Sequence, residues 1–221
     1  MENITYADVK HCEEINTYIR QADASLKAMG FTEHAFSHVE RCADFASRWL
    51  LELGGSGRDA ELARIAAYMH DIGNVINRHN HAQIGAVLAF GLLGKLGMPP
   101  EEVAAVVAAI GNHDEATAYP VNAVAAALIL ADKTDVRRTR VRNDDISAFD
   151  IHDRVNYAVT RADTELDAEA RILTLDLDVD TEICSVTDYF EIFMGRMLLC
   201  RRAAGFFGLH FKLIINGSVL M

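Results

Sequence analysis

The sequence predicts a mainly α-helical bundle with a small β-α-β unit towards its C-terminal end. Three observations carry that expectation. Apolar residues recur at three- and four-residue spacing through most of the first 136 residues, the period of helices with a buried face. Only three prolines occur in 221 residues, two of them adjacent, and helix interiors exclude proline. Residues 173–180, Leu-Thr-Leu-Asp-Leu-Asp-Val-Asp, alternate strictly, which is the period of a half-buried strand.

Residues 7–28 read as a first helix, with Val9, Ile15, Ile19 and Leu26 near one face and Gly30 as its stop. Thr32 is a candidate N-cap for a second helix reaching residue 53. Gly54-Gly55-Ser56-Gly57 breaks the chain; it lacks the Lys-Ser/Thr ending of a phosphate-binding loop and reads as a linker. A third helix covers residues 59–69 and a fourth 81–96. Pro99-Pro100-Glu101-Glu102 starts a fifth, ending near residue 112, with prolines and acids where a first turn favours them. Residues 121–136 form a sixth, almost wholly Ala, Val, Leu and Ile up to Asp132; a helix apolar all round lies in a core.

The strand at 173–180 is followed by helical spacing at 182–204, alternation at 209–215 and an Asn216-Gly217 hairpin turn with a short last strand. Asp176, Asp178 and Asp180 suggest a calcium loop, but Thr181 and Thr187 stand where its Gly and Glu belong, which leaves the strand face. The organisation expected is a helical domain at 1–165 and a β-α-β appendage at 166–221. So small a sheet is marginal alone, so it is expected to pair with a second copy as a homodimer or to pack its apolar face on the helical part.

Composition narrows the function. The net charge of −11 argues against non-specific binding of nucleic acid or anionic membranes. No apolar run approaches the ~20 residues of a membrane span, and the opening MENITYADVKHCEE has no signal-peptide pattern, so a cytoplasmic protein is expected. Cys12, Cys42, Cys184 and Cys200 have no C-x-x-C spacing and read as reduced packing residues.

The chemistry lies in the histidines. His38, His70-Asp71, His81, His113-Asp114 and Asp132 sit on separate elements, and imidazole with carboxylate is a ligand set for divalent transition metals. Asp132 interrupts an apolar run from 123 to 131, and His70-Asp71 follows another, Leu62 to Met69. A carboxylate on a core helix is costly unless paired or metal-bound. His79 competes with His81. His34, four residues before His38, is placed on the same helix face, lining the site or exposed. Asp114 and Glu115 fit the site or a helix end equally.

In this order the residues resemble the HD-domain superfamily of metal-dependent phosphohydrolases. The stretches that carry the resemblance are His38-Val39-Glu40-Arg41-Cys42-Ala43, Ala66-Ala67-Tyr68-Met69-His70-Asp71-Ile72-Gly73, and the run from 125 to Lys133. His81-Ala82-Gln83-Ile84-Gly85 and Ile110-Gly111-Asn112-His113-Asp114-Glu115 resemble the additional histidine sites of bimetallic members. The resemblance covers roughly residues 30–140. It implies an HD-domain helical bundle in which His38, His70, Asp71 and Asp132 hold a first Mn, Fe, Ni or Mg ion. His81 and His113 would hold a second, bridged by Asp71, or face the substrate phosphate. Asp71, His113 and Lys133 become the catalytic candidates, acting on a small phosphorylated substrate.

Phosphoryl charge needs cations. Lys133 is the first candidate; Arg137, Arg138, Arg140 and Arg142 follow, either at the site or paired with Asp144, Asp145 and Asp150. Of the arginines, Arg137 is carried forward for substrate binding, with Lys133, Asn74 and His34. The branch of the superfamily that hydrolyses cyclic dinucleotides has Lys where this chain has Asn74, and Gly-Tyr-Pro where it has Ala118-Tyr119-Pro120; that activity is not expected. The same ligand layout would also serve a di-iron oxygenase, or a silent regulatory protein that keeps the fold.

Overall fold

The computed structural model describes residues 3–142, 149 and 151–221. Helix α1 spans Tyr6–Lys10 and α2 Glu13–Ala28, where the sequence suggests one helix. The break has local causes. The His11 ring and its N–H both bond the Ala7 carbonyl, Asn16 bonds the Lys10 carbonyl, and Glu13 and Glu14 begin a fresh first turn. Helix α3 covers Phe36–Glu52 with Ala35, not Thr32, at its N-cap. The Thr32 carbonyl instead accepts from the His34 ring, which keeps 32–34 extended as an approach to the helix.

Helix α4 is Gly57–Met69, capped by the Ser56 hydroxyl on the Asp59 N–H. A short 3-10 turn, Ile72–Val75, leads towards α5, His81–Leu96. Helix α6 is Pro100–Gly111 and α7 is Ala123–Lys133, the latter capped by Asn122, whose Oδ1 accepts the Ala125 N–H at 2.7 Å. Every residue of α7 from Val124 to Lys133 is buried, against α3, α4 and α6 on one side and the C-terminal helix on another. A second 3-10 turn, Arg138–Arg140, precedes α8, Ile151–Ala158.

The C-terminal part is larger than the sequence suggests. Strand β1, Val159–Asp167, pairs antiparallel with β2, Ile172–Val179. Helix α9, Val186–Phe206, crosses to β3, His210–Ile215, which runs parallel to β2; β4, Ser218–Val219, closes a hairpin on β3 through Asn216-Gly217. The sheet order is β1-β2-β3-β4 among the described residues. Leu173, Leu175 and Leu177 of β2 and Leu213 of β3 are fully buried, each contributing about 2 kcal/mol. Helix α9 packs against both β3 and α7, so the sheet's apolar face joins the helical core within this chain. On the outer face Arg161 of β1 bonds Asp178 at 2.7 Å and Asp163 at 2.6 Å and pairs with Asp176 at 3.3 Å. Asp176 and Asp178 of β2 therefore belong to a strand face tied to Arg161. No helix among the described residues is long and apolar enough to cross a membrane.

Candidate metal centre

Helix ends converge on one buried point. Helix α4 delivers His70 at its C-cap and Asp71 just beyond. The chain then turns at Gly73, where a Cβ would stand 2.0 Å from the His81 carbonyl oxygen and 2.5 Å from the Gly85 nitrogen. Only glycine allows this approach, and it presses His70-Asp71 against the start of α5, where His81 sits. Asn80, before it, takes the left-handed conformation at φ 58°, which asparagine tolerates better than most residues. His113 follows the end of α6, Asp132 lies in the last turn of α7, and His38 lies in the first turn of α3.

Each imidazole is oriented by its Nδ1. His70 bonds the Ala67 carbonyl at 2.7 Å, His81 that of Arg78 at 3.1 Å, and His113 that of Ile110 at 2.6 Å. A carbonyl only accepts, so each Nδ1 carries the hydrogen and each ring turns its Nε2 inward as the atom free to bind a cation. His38 Nδ1 bonds Asp135 Oδ2 at 2.7 Å. Such carboxylate or carbonyl contacts behind a histidine are the usual means of aiming a metal ligand.

The inward atoms form two sets that share Asp71. Its Oδ2 lies 3.2 Å from His70 Nε2 and 3.9 Å from His38 Nε2, and Asp132 Oδ1 lies 3.4 and 3.7 Å from His38 and His70. Its Oδ1 lies 3.5 Å from His81 Nε2 and 3.9 Å from His113 Nε2. The two latter nitrogens are 3.2 Å apart, two lone pairs facing each other. His70 Nε2 is buried without a hydrogen-bond partner. Both features call for positive charge between the atoms, and donors of this kind within 4.8 Å of one another can hold a cation. The residues present therefore fit a divalent metal.

The electrostatics agree. Burial pushes the Asp71 carboxyl up, but His70, His34 and His81 outweigh it and hold it well below the usual range. Lys133, with His38 and His70, does the same for Asp132. Burial pushes His113 well below its ordinary value, helped by His70 and Lys133, and pushes His81 down against the pull of Asp71. His70 moves the other way: burial lowers it, but Asp71 and Asp132 outweigh burial and raise it. Neutral His81 and His113 beside ionised Asp71 and Asp132 are protonation states that a metal site requires.

Residues 35–175 match the HD domain family. The chain belongs to the HD domain family. That stretch holds every residue of both ligand sets and runs on into β2. No curated protein matches the chain. A solved structure of a predicted HD superfamily hydrolase from an uncultured Thermotogales bacterium is similar, with 29% identity over 57% of this chain and 69% of that one and a TM-score of 0.46.

Within this HD domain the sequence candidates separate. His38, His70, Asp71, His81, His113 and Asp132 come together, whereas His79 is exposed. His34 lies before α3 rather than on it, because the helix starts at Phe36, yet its Nε2 faces Asp71 Oδ2 at 4.0 Å. Asn74 bonds the Asp71 side chain at 3.0 Å and its carbonyl at 2.9 Å, and so aims the shared carboxylate. Lys133 Nζ lies 2.7 Å from Asp132 Oδ2 and 3.9 Å from Glu115. Asp114 Oδ1 is 4.0 Å from His81 Nε2. Arg137 is not brought to the centre: its guanidinium is forked onto Asp135 at 2.5 and 3.0 Å. Of its neighbours, Arg138 bonds the Tyr157 carbonyl and Arg142 pairs with Asp23; Asp144, Asp145 and Asp150 lie outside the described residues.

Asp135, Asn156 and Arg196 escape the sequence reading, whereas Arg140 is among the arginines it offers to the site and Cys42 reads there as a packing residue. Asp135 is buried behind His38, Arg140 donates to the Asp135 carbonyl at 2.8 Å, and Cys42 packs its thiol 3.6 Å from His38 Nδ1 and 3.6 Å from the Ala131 carbonyl. A narrow cavity opens over the ligands, lined also by Arg78, Glu115, Arg140, Asn156 and Arg196. It adjoins an outer chamber of about 410 Å³ that shares His34, Arg78, Glu115, Asn156 and Arg196 with it and adds Phe31, His152, Ile192 and Phe193. Arg196 comes from α9, where it bonds Glu115 at 2.9 Å.

Proposed function

We propose that this HD domain is a metal-dependent phosphohydrolase that cleaves a phosphate ester of a small molecule. The observation that carries the reading is the pair of inward-facing ligand sets sharing Asp71, at the floor of a cavity walled by cations. His38, His70, Asp71 and Asp132 would hold one cation, and His81, His113 and Asp71 a second; nitrogen and oxygen donors of this mix suit Mn, Fe, Ni or Mg. Bound there, a divalent cation supplies acidified water and charge neutralisation at the phosphoryl oxygens.

The chain's own groups prepare that chemistry. Asn74 and the Asp135–His38 contact fix the orientation of the ligands. Lys133 holds one oxygen of Asp132 and leaves the other to the histidines. The arginines around the cavity give the site the sign a phosphate requires. The outer chamber is of the size that small-molecule sites have and would receive the leaving group.

The test is phosphate release from a panel of nucleotides, sugar phosphates and phosphodiesters with Mn²⁺, Mg²⁺, Ni²⁺ or Fe²⁺, comparing the wild type with Asp71→Ala. The wild type is expected to release phosphate. Asp71→Ala is expected to lose bound metal and activity together while its circular dichroism stays helical, because Asp71 serves both sets. Undiminished metal-dependent turnover in Asp71→Ala would refute the assignment.

A further inference from the structure

Several cations surround the ligand cluster, and nearly all are already engaged by carboxylates. Lys133 lies against Asp132 at 2.7 Å and Arg196 against Glu115 at 2.9 Å. Arg140 donates to the carbonyls of Glu33 and Asp135 and stands 4.0 Å from the Asp135 carboxylate. Arg78 differs. Among the described residues no carboxylate lies within ion-pair distance of it. Its guanidinium has two long contacts, 3.4 Å to His81 Nε2 and 3.5 Å to Asn74 Oδ1, at the edge of what counts as a hydrogen bond. It rests over the ring of Phe31, 5.5 Å from the centroid, which supports a cation without neutralising it.

Its position is equally particular. Arg78 borders the inner cavity, the outer chamber and a surface cleft around Asn80, so it stands where the three meet. It touches a residue of the second ligand set, His81, and the residue that aims Asp71, Asn74. A half-buried guanidinium without an anion lacks the partner that would offset its desolvation. Its planar fork matches two phosphoryl oxygens. We infer that Arg78 is the side chain that binds the phosphoryl oxygens of the substrate, directly beside the metal ligands. The inference rests on the phosphohydrolase reading and moves the principal substrate contact from Lys133, which serves Asp132, to the loop between Asp71 and His81.

The experiment titrates inorganic phosphate into the Mn²⁺-loaded protein by calorimetry, for the wild type, Arg78→Met, Arg78→Gln and Arg78→Lys, with metal content and melting temperature measured on each. Arg78→Met and Arg78→Gln are expected to keep metal and stability while their phosphate Kd rises about tenfold to a hundredfold, the loss of a charged hydrogen-bonding partner. Arg78→Lys should recover part of that loss. With any ester the panel identifies, KM should rise with the phosphate Kd. Phosphate binding within twofold of wild type in the Met and Gln variants would overturn the inference, as would loss of metal from both, which would make Arg78 a support for His81. A wild type that binds metal but neither binds phosphate nor hydrolyses any ester would refute the phosphohydrolase reading, and this inference with it.

Discussion

A histidine can serve as a metal ligand only as well as the contact behind it aims it, and His38, a proposed ligand in this chain, depends on Asp135. Asparagine there keeps the shape but removes the charge that holds the Nδ1 hydrogen. Asp135→Asn is expected to weaken metal binding about tenfold to a hundredfold, measured by competition with a chelating dye. The same residue predicts a pH effect. Burial pushes the Asp135 carboxyl up, but hydrogen bonds from His38 and Arg137 and the charge of Arg140 hold it far below its ordinary 3.8. A folded value below the unfolded one means that the unfolded chain takes up the proton first. The contribution is therefore complete above the ordinary value and falls away as the pH drops below about 4. Denaturant unfolding of the metal-free protein between pH 6 and pH 3 should show a steeper acid loss for wild type than for Asp135→Asn; equal slopes would contradict the assignment. The sequence shows this site unevenly. Asp132 stands out because a carboxylate interrupts an apolar run. Arg196 offers the same clue within α9, between Ile192 and Cys200, but the apolar spacing around it draws the eye to packing. Asp135 offers none, because its partner is 97 residues away.

At the level of elements, the decisive join is the turn from α4 into α5. A methyl group at Gly73 meets backbone rather than a movable side chain. Gly73→Ala should therefore destabilise the fold by about 3 kcal/mol, as overpacking does, and should also separate Asp71 from His81. Gly91, in the middle of α5, has open space around the added carbon, so Gly91→Ala should stabilise by about 0.5–1 kcal/mol. Urea unfolding of the two variants checks both signs. The helices themselves are legible wherever periodicity, caps and breaks agree, as for α5 and α6. Strand β1 is not, because it is an edge strand with Val159 as its one buried residue; its polar outer positions hide the alternation. Nor is the break between α1 and α2, which depends on the side chains of His11 and Asn16 bonding particular carbonyls.

Across the whole molecule, α9 decides how far the bundle and the sheet are separate. It packs on α7 with one part of its surface and on β3 with another, and it sends Arg196 to Glu115 beside the site. The two parts are expected to melt together. Fluorescence of Trp49, buried in α3, and circular dichroism at strand wavelengths should give coincident transitions; an early loss of strand signal would show that the sheet is an independent unit. Cys42 extends this thought into time. Its thiol is sealed between the His38 imidazole and the Ala131 carbonyl, and burial raises its pKa well above the ordinary thiol value. It can meet a reagent only while α3 and α7 stand apart. A cation held by both helices makes those moments rarer by the factor that its occupancy sets. The cysteine would thus be a clock for the opening of the proposed metal centre, running fast when the site is bare and slowing as it fills.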